Sequence, residues 1–172
     1  MMPRRCGLCG KSDYRHVQGI GNPKAKIIFV GEAPGAQEDR LGRPFVGPAG
    51  QFLNRQLAAI GINRKDVWIT NVVKHRSIGP PDEQSIARSL PVLIKELKTI
   101  RPKIVVLLGN TAIKAVLGKE YSVVKCHGKI IVKNKIRFMP TPHPSAARQY
   151  KKMKQLFLAD FKRLATLSRA PV

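Results

Sequence analysis

Acidic side chains are scarce in this 172-residue chain, which carries 10 Asp and Glu residues against 32 Lys and Arg residues. The resulting formal charge of +22 argues against cationic partners and favours polyanions, nucleic acid first and anionic membrane second. The basic residues are spread along the chain rather than gathered in a tail, so we expect a basic domain. A composition adapted to heat or salt is the alternative explanation of the charge.

Long apolar runs are also missing. No stretch approaches the roughly 20 apolar residues of a membrane-spanning helix. The first ten residues, MMPRRCGLCG, lack the apolar core of a signal peptide. We therefore expect an intracellular, cytoplasmic protein that makes no membrane contact.

Cysteine is too rare for a disulfide scaffold, with three residues in the chain. Cys6 and Cys9 form a C-x-x-C pair, which in a reducing compartment indicates metal binding or redox chemistry. Hydrophobic residues make up 43% of the sequence, enough for one core. The prediction is one domain over residues 1–172, in which an N-terminal arm, residues 1–25, carries the cysteine pair.

Short apolar runs alternate with amphipathic stretches along the chain. Strand patterns are found in KIIFV, VWITNVV and KIVVLLG and in two weaker β-type runs (residues 26–30, 67–73, 103–109, 129–132 and 136–139). Helical patterns lie between and after them, with a kink expected at Pro91 (residues 49–61, 82–100, 110–118 and 150–167). The alternation predicts an α/β fold, a single-domain three-layer α/β/α sandwich around a central, mainly parallel four-stranded sheet.

The segments that follow the strands carry the chemistry. Residues 31–47 form the longest of them, with three acids and four glycines, and a structureless loop of that length is usually functional. Parallel strands end at one edge of the sheet, where open α/β folds bind ligands. We therefore expect one pocket at that edge, formed by Glu32, Phe45, Asn71, Lys74 and His143.

Each of these residue types suits recognition of a nucleobase. The Asn71 amide offers a donor and an acceptor together, although Asn is also common as a turn residue at a strand end. Phe45 has a face on which a planar base can stack, or it fills the core under the loop. His143, fixed between two prolines, can donate to an oxygen that gains charge, unless it is an ordinary surface histidine. The small tip at residues 145–147 suits a duplex groove, and Arg148 suits phosphate.

Three motifs resemble those of a known family. GEAPGAQEDRLGRPFVGPAG (residues 31–50), ITNVVKHR (69–76) and HPSAAR (143–148) are similar to the motifs of the uracil-DNA glycosylase superfamily, nearest to family 4, the iron–sulfur thermophile and archaeal type, and its cross-linking relatives. The resemblance implies a monomeric DNA repair hydrolase that flips uracil out of single- or double-stranded DNA and hydrolyses its N-glycosidic bond, leaving an abasic site. The alternatives are a glycosylase for hypoxanthine or mismatched thymine, and a non-catalytic binder of uracil-DNA.

The resemblance also implies roles for individual residues. Phe45 stacks on the flipped uracil, Asn71 reads its polar edge, and His143 supports the oxygen that becomes negative. The best-known branch has Asp where this chain has Ala33, so Glu32 is the candidate for orienting water or stabilising the cationic sugar, with Glu38 and Asp39 in reserve. The remaining binding residues are those of the pocket frame (Gly31, Ala33, Pro34 and Gly35) and of the minor-groove segment (Pro144, Ser145, Ala147 and Arg148).

Family 4 binds a [4Fe–4S] cluster through four cysteines, and the resemblance therefore implies a cluster here. Cys6 and Cys9 match the first two ligand positions, while His75 takes the third and Ser89 the fourth. Histidine at the third position resembles the cross-linking branch, and it can ligate such clusters. Zinc held by Cys6, Cys9, His75 and His16, or no metal at all, are the alternatives.

The cross-linking branch also carries an inserted basic loop with a second histidine after the Asn71 strand. This chain has only SIGP between Arg76 and Pro81. We therefore expect ordinary turnover rather than a stable covalent adduct with DNA.

Overall fold

The computed structural model describes residues 4–6 and 10–169, with side chains from residue 13 to residue 169. A small antiparallel hairpin comes first, formed by β1 (Arg4–Cys6) and β2 (Gly10–Ser12). The other six described strands form one mixed sheet: β3 (Ile20–Gly21), β4 (Ile27–Gly31), β5 (Trp68–Asn71), β6 (Ile104–Leu108), β7 (Ile131–Lys133) and β8 (Ile136–Thr141). Their order across the sheet is β3-β5-β4-β6-β8-β7.

The four central strands, β5, β4, β6 and β8, run parallel, whereas β3 and β7 pair antiparallel at the two edges. Every residue of β4 and of β6 is buried. Because helices cover both faces, these strands are continuous apolar runs rather than alternating ones.

Helices cover both faces of the sheet. Within the described residues they are α1 (Ala36–Leu41), α2 (Pro48–Ala59), α3 (Glu83–Ile100), α4 (Asn110–Leu117), α5 (Val123–Cys126), α6 (Pro144–Gln149) and α7 (Lys151–Arg169). On one face α2 and α7 pack against Phe29 and Val106, and on the other α3 and α4 pack against Ile28 and Val105. Successive residues of each strand therefore contribute alternately to two cores, one on each face of the sheet.

The carboxyl ends of the parallel strands meet at one edge of the sheet. Gly31 at the end of β4 lies in register with Asn71 at the end of β5. Leu108 at the end of β6 lies in register with Thr141 at the end of β8. This register brings together the segments that follow four strands, as the sequence predicts.

The predicted number of strands is wrong, because the sheet has six strands and not four. The α/β class is confirmed, and the parallel part of the sheet has the four central strands. The prediction leaves out β3, which lies inside the expected N-terminal arm, and does not count β7. β3 pairs with β5 through two residues, too few to give a hydrophobic period.

Local expectations also need correction. The 31–47 segment is not structureless, since it contains α1. α3 continues through Pro91 without a break, whereas the kink expected there stays a prediction. Pro91 is exposed like Ala87 four residues earlier, so water can reach the carbonyl that Pro91 leaves without its helical donor. A cap at Asn110, the first residue of the helical pattern 110–118, is a further expectation that fails: Gly109 is the N-cap of α4, and the Asn110 side chain accepts a hydrogen bond from the Val123 N–H at 2.8 Å. Over the described part of the chain, no helix has the length and apolar content needed to cross a membrane.

Candidate active site

A cavity of about 390 Å³ opens at the carboxyl edge of the sheet. Three of its lining side chains come from separate parts of the chain: Phe45 from the segment after α1, Asn71 from the end of β5 and His143 from the end of β8. The rest of the lining comes from the segment around α1, from the start of α2 and from α6 (Ala33, Gly35, Ala36, Gln37, Glu38, Gly47, Pro48, Ala49 and Arg148). The structure thus brings together three of the five side chains expected to form one pocket.

Gly31 allows two of these side chains to meet. A Cβ atom at this position would lie 2.5 Å from Cζ of Phe45 and closer still to Oδ1 of Asn71. Real Cβ atoms do not approach other atoms so closely. Glycine is therefore required at the end of β4 for the Phe45 ring and the Asn71 amide to stand side by side. Gly31 supports the pocket from behind and is not part of its lining.

Phe45 has an unusual backbone. Its φ of 53° lies in the left-handed region, which disfavours a bulky residue by about 1–2 kcal/mol. Gly50 in α2 makes room for this conformation, because a Cβ there would overlap the Phe45 carbonyl. The Phe45 side chain is 5% exposed, and its ring centroid lies 6.0 Å from that of His143. The residue packs in the core and also lines the cavity, and such strain is concentrated at functional sites.

His143 is held as a neutral donor. Its Nδ1 accepts a hydrogen bond from the backbone N–H of Ser145 at 3.2 Å and lies 2.7 Å from the Ser145 hydroxyl. Because a backbone N–H only donates, Nδ1 carries the lone pair and the proton resides on Nε2. Burial lowers the pKa of His143 from 6.5 to about 4, although the residue keeps some exposure at the cavity. At pH 7 the cavity wall therefore includes an uncharged imidazole with one N–H.

Glu38 organises the segment that frames the cavity. Its Oε1 accepts hydrogen bonds from the N–H groups of Val46 at 2.9 Å and Gly47 at 2.7 Å, and its Oε2 accepts one from Gly35 at 3.1 Å. One carboxylate thus joins the start and the end of the 31–47 segment. The sequence signal for this role is an acid three residues after a helix-capping position, the capping-box spacing.

Glu32 lies directly after β4 but is not part of the cavity lining. Its Oε2 accepts a hydrogen bond from the Thr111 hydroxyl in α4. Its main-chain carbonyl accepts the Val73 N–H at 3.0 Å. Thr111, which holds the Glu32 side chain, is not among the site residues expected from the sequence, and its only signal there is its position just after the 103–109 run.

The structure does not place Lys74 in the pocket, contrary to the prediction. The chain bends after β5, and the side chain of Lys74 runs back into the α3 side of the sheet, where it is fully buried. Its ammonium lies 2.7 Å from Oε2 of Glu96 in α3. The prediction fails because topology fixes which residues reach an edge but not the direction of a side chain beyond the end of the strand.

The HPSAAR motif forms a helix cap and a helix rather than a loop. His143 is the N-cap of α6, which begins at Pro144. Pro144 and Ala147 are buried, and Ala147 belongs to the core between the sheet, α2 and α7. The expectation that residues 145–147 form a tip that enters a duplex groove is therefore wrong for Ala147, which is inaccessible to DNA. Arg148 is exposed and stands at the cavity, and Ser145 is held against the His143 ring.

The candidate metal ligands are described only in part. Cys9 lies outside the described residues, and for Cys6 only the backbone, in β1, is described. The two described candidates on the body of the protein, His75 and Ser89, are both buried. Among residues 13–169 no group of three or more His, Cys, Asp or Glu side chains is arranged to bind a metal ion.

His75 has the orientation of a metal ligand. Its Nδ1 lies 3.0 Å from the main-chain carbonyl of Tyr14. Because a carbonyl only accepts, Nδ1 carries the proton and Nε2 carries the lone pair, the arrangement that commonly orients metal-ligating histidines. The ring of His16 packs edge-on against it, with centroids 5.3 Å apart. The tautomer of His75 is therefore compatible with metal binding, whereas the described residues alone complete no metal site.

The chain thus belongs to the α/β class with a mixed sheet, and the cavity at the carboxyl edge of its parallel strands is lined by an aromatic ring, an amide and a neutral imidazole. The profile of the uracil DNA glycosylase superfamily matches residues 18–165. The chain belongs to this superfamily.

Several relatives are similar over most of the chain, among them three type-4 uracil-DNA glycosylases. That of Archaeoglobus fulgidus is 37% identical, covering 97% of this chain and 88% of the relative. That of Sulfurisphaera tokodaii is 40% identical over 96% of this chain and 81% of the relative. That of Thermotoga maritima is 42% identical over 75% of this chain and 69% of the relative.

Proposed function

We propose that this protein removes uracil from DNA by hydrolysis of the N-glycosidic bond and leaves an abasic site. The observation that carries the proposal is the convergence of Phe45, Asn71 and His143 on one cavity. A flipped base needs a face to stack on and hydrogen-bonding groups along its edge, and these three side chains supply both. The names of the similar type-4 proteins support the same activity.

Asn71 recognises the base and Phe45 supports it. The amide can donate to a carbonyl oxygen of uracil and accept from its ring N–H at the same time. The Phe45 ring lies beside that amide, because Gly31 has no Cβ atom to separate the two side chains. Ala33 and Gly35 line the cavity, and we assign them to the sugar side, while Gly31 lies behind the wall and Pro34 connects the two lining residues.

His143 assists the departure of the base. As the glycosidic bond breaks, its electron pair moves to the uracil ring, and negative charge develops on the ring oxygens. The neutral Nε2–H of His143 donates a hydrogen bond to one of these oxygens and stabilises the anion. Water then adds to C1′ of the sugar, and the proton that it loses ends on the departing uracil anion, which leaves as neutral uracil. We assign Glu32 to the cationic sugar or to that water, with its carboxylate held in place by Thr111.

The DNA strand reaches the cavity past Arg148 and Ser145. Arg148 is exposed at the cavity and can pair with a phosphate on either side of the flipped nucleotide. The charge of +22 supplies a sequence-independent attraction to the backbone of single- or double-stranded DNA. We propose that a monomer carries out the reaction.

The test is strand cleavage at a single uracil. Purified protein is incubated with an oligonucleotide that contains one uracil, and alkali then cleaves any abasic site. We expect several turnovers per protein molecule, and much reduced activity with Asn71→Ala and His143→Ala at nearly unchanged salt-dependent binding. Binding without abasic product would refute the hydrolase. Release of hypoxanthine or thymine would widen the substrate range, and a complex stable to SDS would refute ordinary turnover.

We also propose a metal centre at Cys6, Cys9 and His75, with Ser89 at the fourth position. A [4Fe–4S] cluster is the first choice and zinc the second, because the His75 tautomer suits either. Such a centre would cross-link the N-terminal hairpin to the segment after β5. We expect visible absorbance of an iron–sulfur cluster, or stoichiometric zinc, in the freshly purified protein, and loss of either with His75→Ala. A protein with neither metal would refute the proposal.

A further inference from the structure

Lys74 is a buried cation that the proposed reaction does not use directly. Its side chain is 0% exposed, and its ammonium donates to the main-chain carbonyl of Asn71 at 2.9 Å. It also donates to the Thr70 hydroxyl at 2.5 Å and lies 2.7 Å from Oε2 of Glu96. The Thr70 hydroxyl donates in turn to the same Glu96 oxygen at 2.9 Å. These contacts form a closed network behind the residue that reads the base.

We propose that Lys74 is a positioning residue for Asn71, acting through the Asn71 main-chain carbonyl together with Thr70 and Glu96. The inference rests on the proposed function, since it concerns how the base-reading amide is held. Burying an ammonium is unfavourable unless its charge is paired and its donors are used, and apolar residues of similar size often stabilise a protein as well or better. Stability alone therefore gives little reason for a lysine at this place.

The hydrogen bond from Lys74 to the Asn71 carbonyl lies at the end of β5, where Asn71 has to be held in place. The β4–β5 ladder ends at the pair formed by Gly31 and Asn71. The peptide group that follows Asn71 is held on its N–H side by the neighbouring strand, since the Val72 N–H donates to the Gly31 carbonyl at 2.9 Å. The ammonium holds the carbonyl side of the same group, so the backbone next to the Cα atom of Asn71 is fixed from both sides, and with it the base of the Asn71 side chain. On its other side that side chain stands against Gly31, so it has little freedom to compensate for a rotated peptide.

Glu96 connects this point to the rest of the protein. It neutralises the ammonium from α3, with 11% of its side chain exposed. Its second oxygen accepts the Gly19 N–H at 3.3 Å, next to β3. The main-chain carbonyl of Lys74 accepts the Val17 N–H at 2.7 Å. The end of β5 is thus anchored from α3 and from the N-terminal segment at once.

The test compares Lys74→Met with a matched surface variant, Lys119→Met, whose ion pair with Glu83 is exposed. A misplacement of the amide by about 1 Å lowers the rate by about 100-fold, and we expect Lys74→Met to lower kcat by 10- to 100-fold. The control should change kcat less than twofold. In an Asn71→Ala background, Lys74→Met should add less than a threefold further loss, because it acts through Asn71. Losses that multiply in the double variant would overturn the proposal.

A second variant separates positioning from stability. Lys74→Met with Glu96→Leu removes both charges, and we expect its melting temperature to return towards that of the native chain while kcat stays low. Recovery of kcat together with the melting temperature would mean that Lys74 only stabilises the fold.

Amide hydrogen exchange gives a readout that needs no substrate. We expect Lys74→Met to speed exchange at residues 71–73 and Lys119→Met to leave it unchanged. If the native chain removes no uracil but exchange responds in this way, the proposed function fails and the anchoring of β5 stands. If the native chain removes uracil and Lys74→Met alters neither exchange nor kcat, the positioning role is refuted.

Discussion

Replacing Gly31 by alanine tests whether the base-stacking ring and the base-reading amide act as one surface. The added Cβ would lie 2.5 Å from Cζ of Phe45, whereas ordinary van der Waals contacts lie at 3.4–4 Å. The ring must therefore retreat by about 1 Å, and the Asn71 amide on the other side of the methyl group must retreat as well. A displacement of about 1 Å in a group that positions substrate lowers the rate by about 100-fold.

The same change should cost only moderate stability. Overpacking a filled site by one methyl group destabilises a protein by about 1–3 kcal/mol, so Gly31→Ala should still fold. We expect single-turnover excision from a uracil oligonucleotide to slow by about 100-fold while far-ultraviolet circular dichroism is unchanged. Affinity for an oligonucleotide without uracil should also be unchanged, because phosphate contacts lie outside the pocket.

Gly79→Ala provides the control for a glycine substitution. Gly79 has a φ of 78°, and a Cβ there meets no atom within 4 Å. Its replacement should cost roughly 1 kcal/mol of backbone strain and leave the rate unchanged. Native excision rates with Gly31→Ala would refute the account of the pocket wall, since Phe45 and Asn71 could not both move without effect if they hold the base together.

Three further changes probe the other groups at the site. The pKa of His143 is depressed in the folded state, so as the pH falls from 6.5 to 4 the unfolded chain takes up a proton before the folded chain does. Over that range the native protein should therefore lose about 3 kcal/mol of unfolding free energy relative to His143→Gln. Urea titrations of both proteins at each pH measure this difference. Equal pH dependence of the two proteins would contradict this. Arg148→Ala should lower the slope of log K against log salt by about 1, with kcat nearly intact, and an unchanged slope would remove Arg148 from the phosphate contacts. Thr111→Val should slow excision about tenfold, because it removes the hydroxyl that holds the Glu32 carboxylate. Thr111→Ser keeps the hydroxyl and should retain most of the rate. Native activity in Thr111→Val would show that the hydrogen bond is dispensable.

The edge of the sheet at which the site forms could be predicted from the sequence because it depends on strand order alone. Asn71 and His143 follow apolar runs, and parallel strands must end together, so their meeting needs no detailed geometry. Lys74 shows where this reasoning ends. Lys74 follows Asn71 by three residues, beyond the end of β5. Its side chain pairs with Glu96, 22 positions later in α3, and therefore points away from the cavity.

The HPSAAR motif shows a second limit. Its prolines and small residues are typical of a loop tip, but Pro at the first position of a helix is also favourable, and the side chain of His143 accepts the Ser145 N–H as a cap. Which of the two structures forms is decided by packing, because Ala147 fits into the core between α2 and α7. That packing depends on residues distant in sequence, so local patterns cannot supply it.

The scarcity of acids bears on how the site works. A carboxylate left unpaired near the cavity would repel the phosphates of an incoming DNA strand. The three acids of the segment after β4 are instead used internally: Glu38 accepts three backbone N–H groups, Asp39 accepts the Arg15 N–H at 2.7 Å, and Glu32 accepts the Thr111 hydroxyl. These carboxylates accept hydrogen bonds from groups of the protein, while Arg148 remains exposed at the cavity. The excess of basic residues attracts DNA, and the few acids near the cavity fix the shape of the pocket that receives the base.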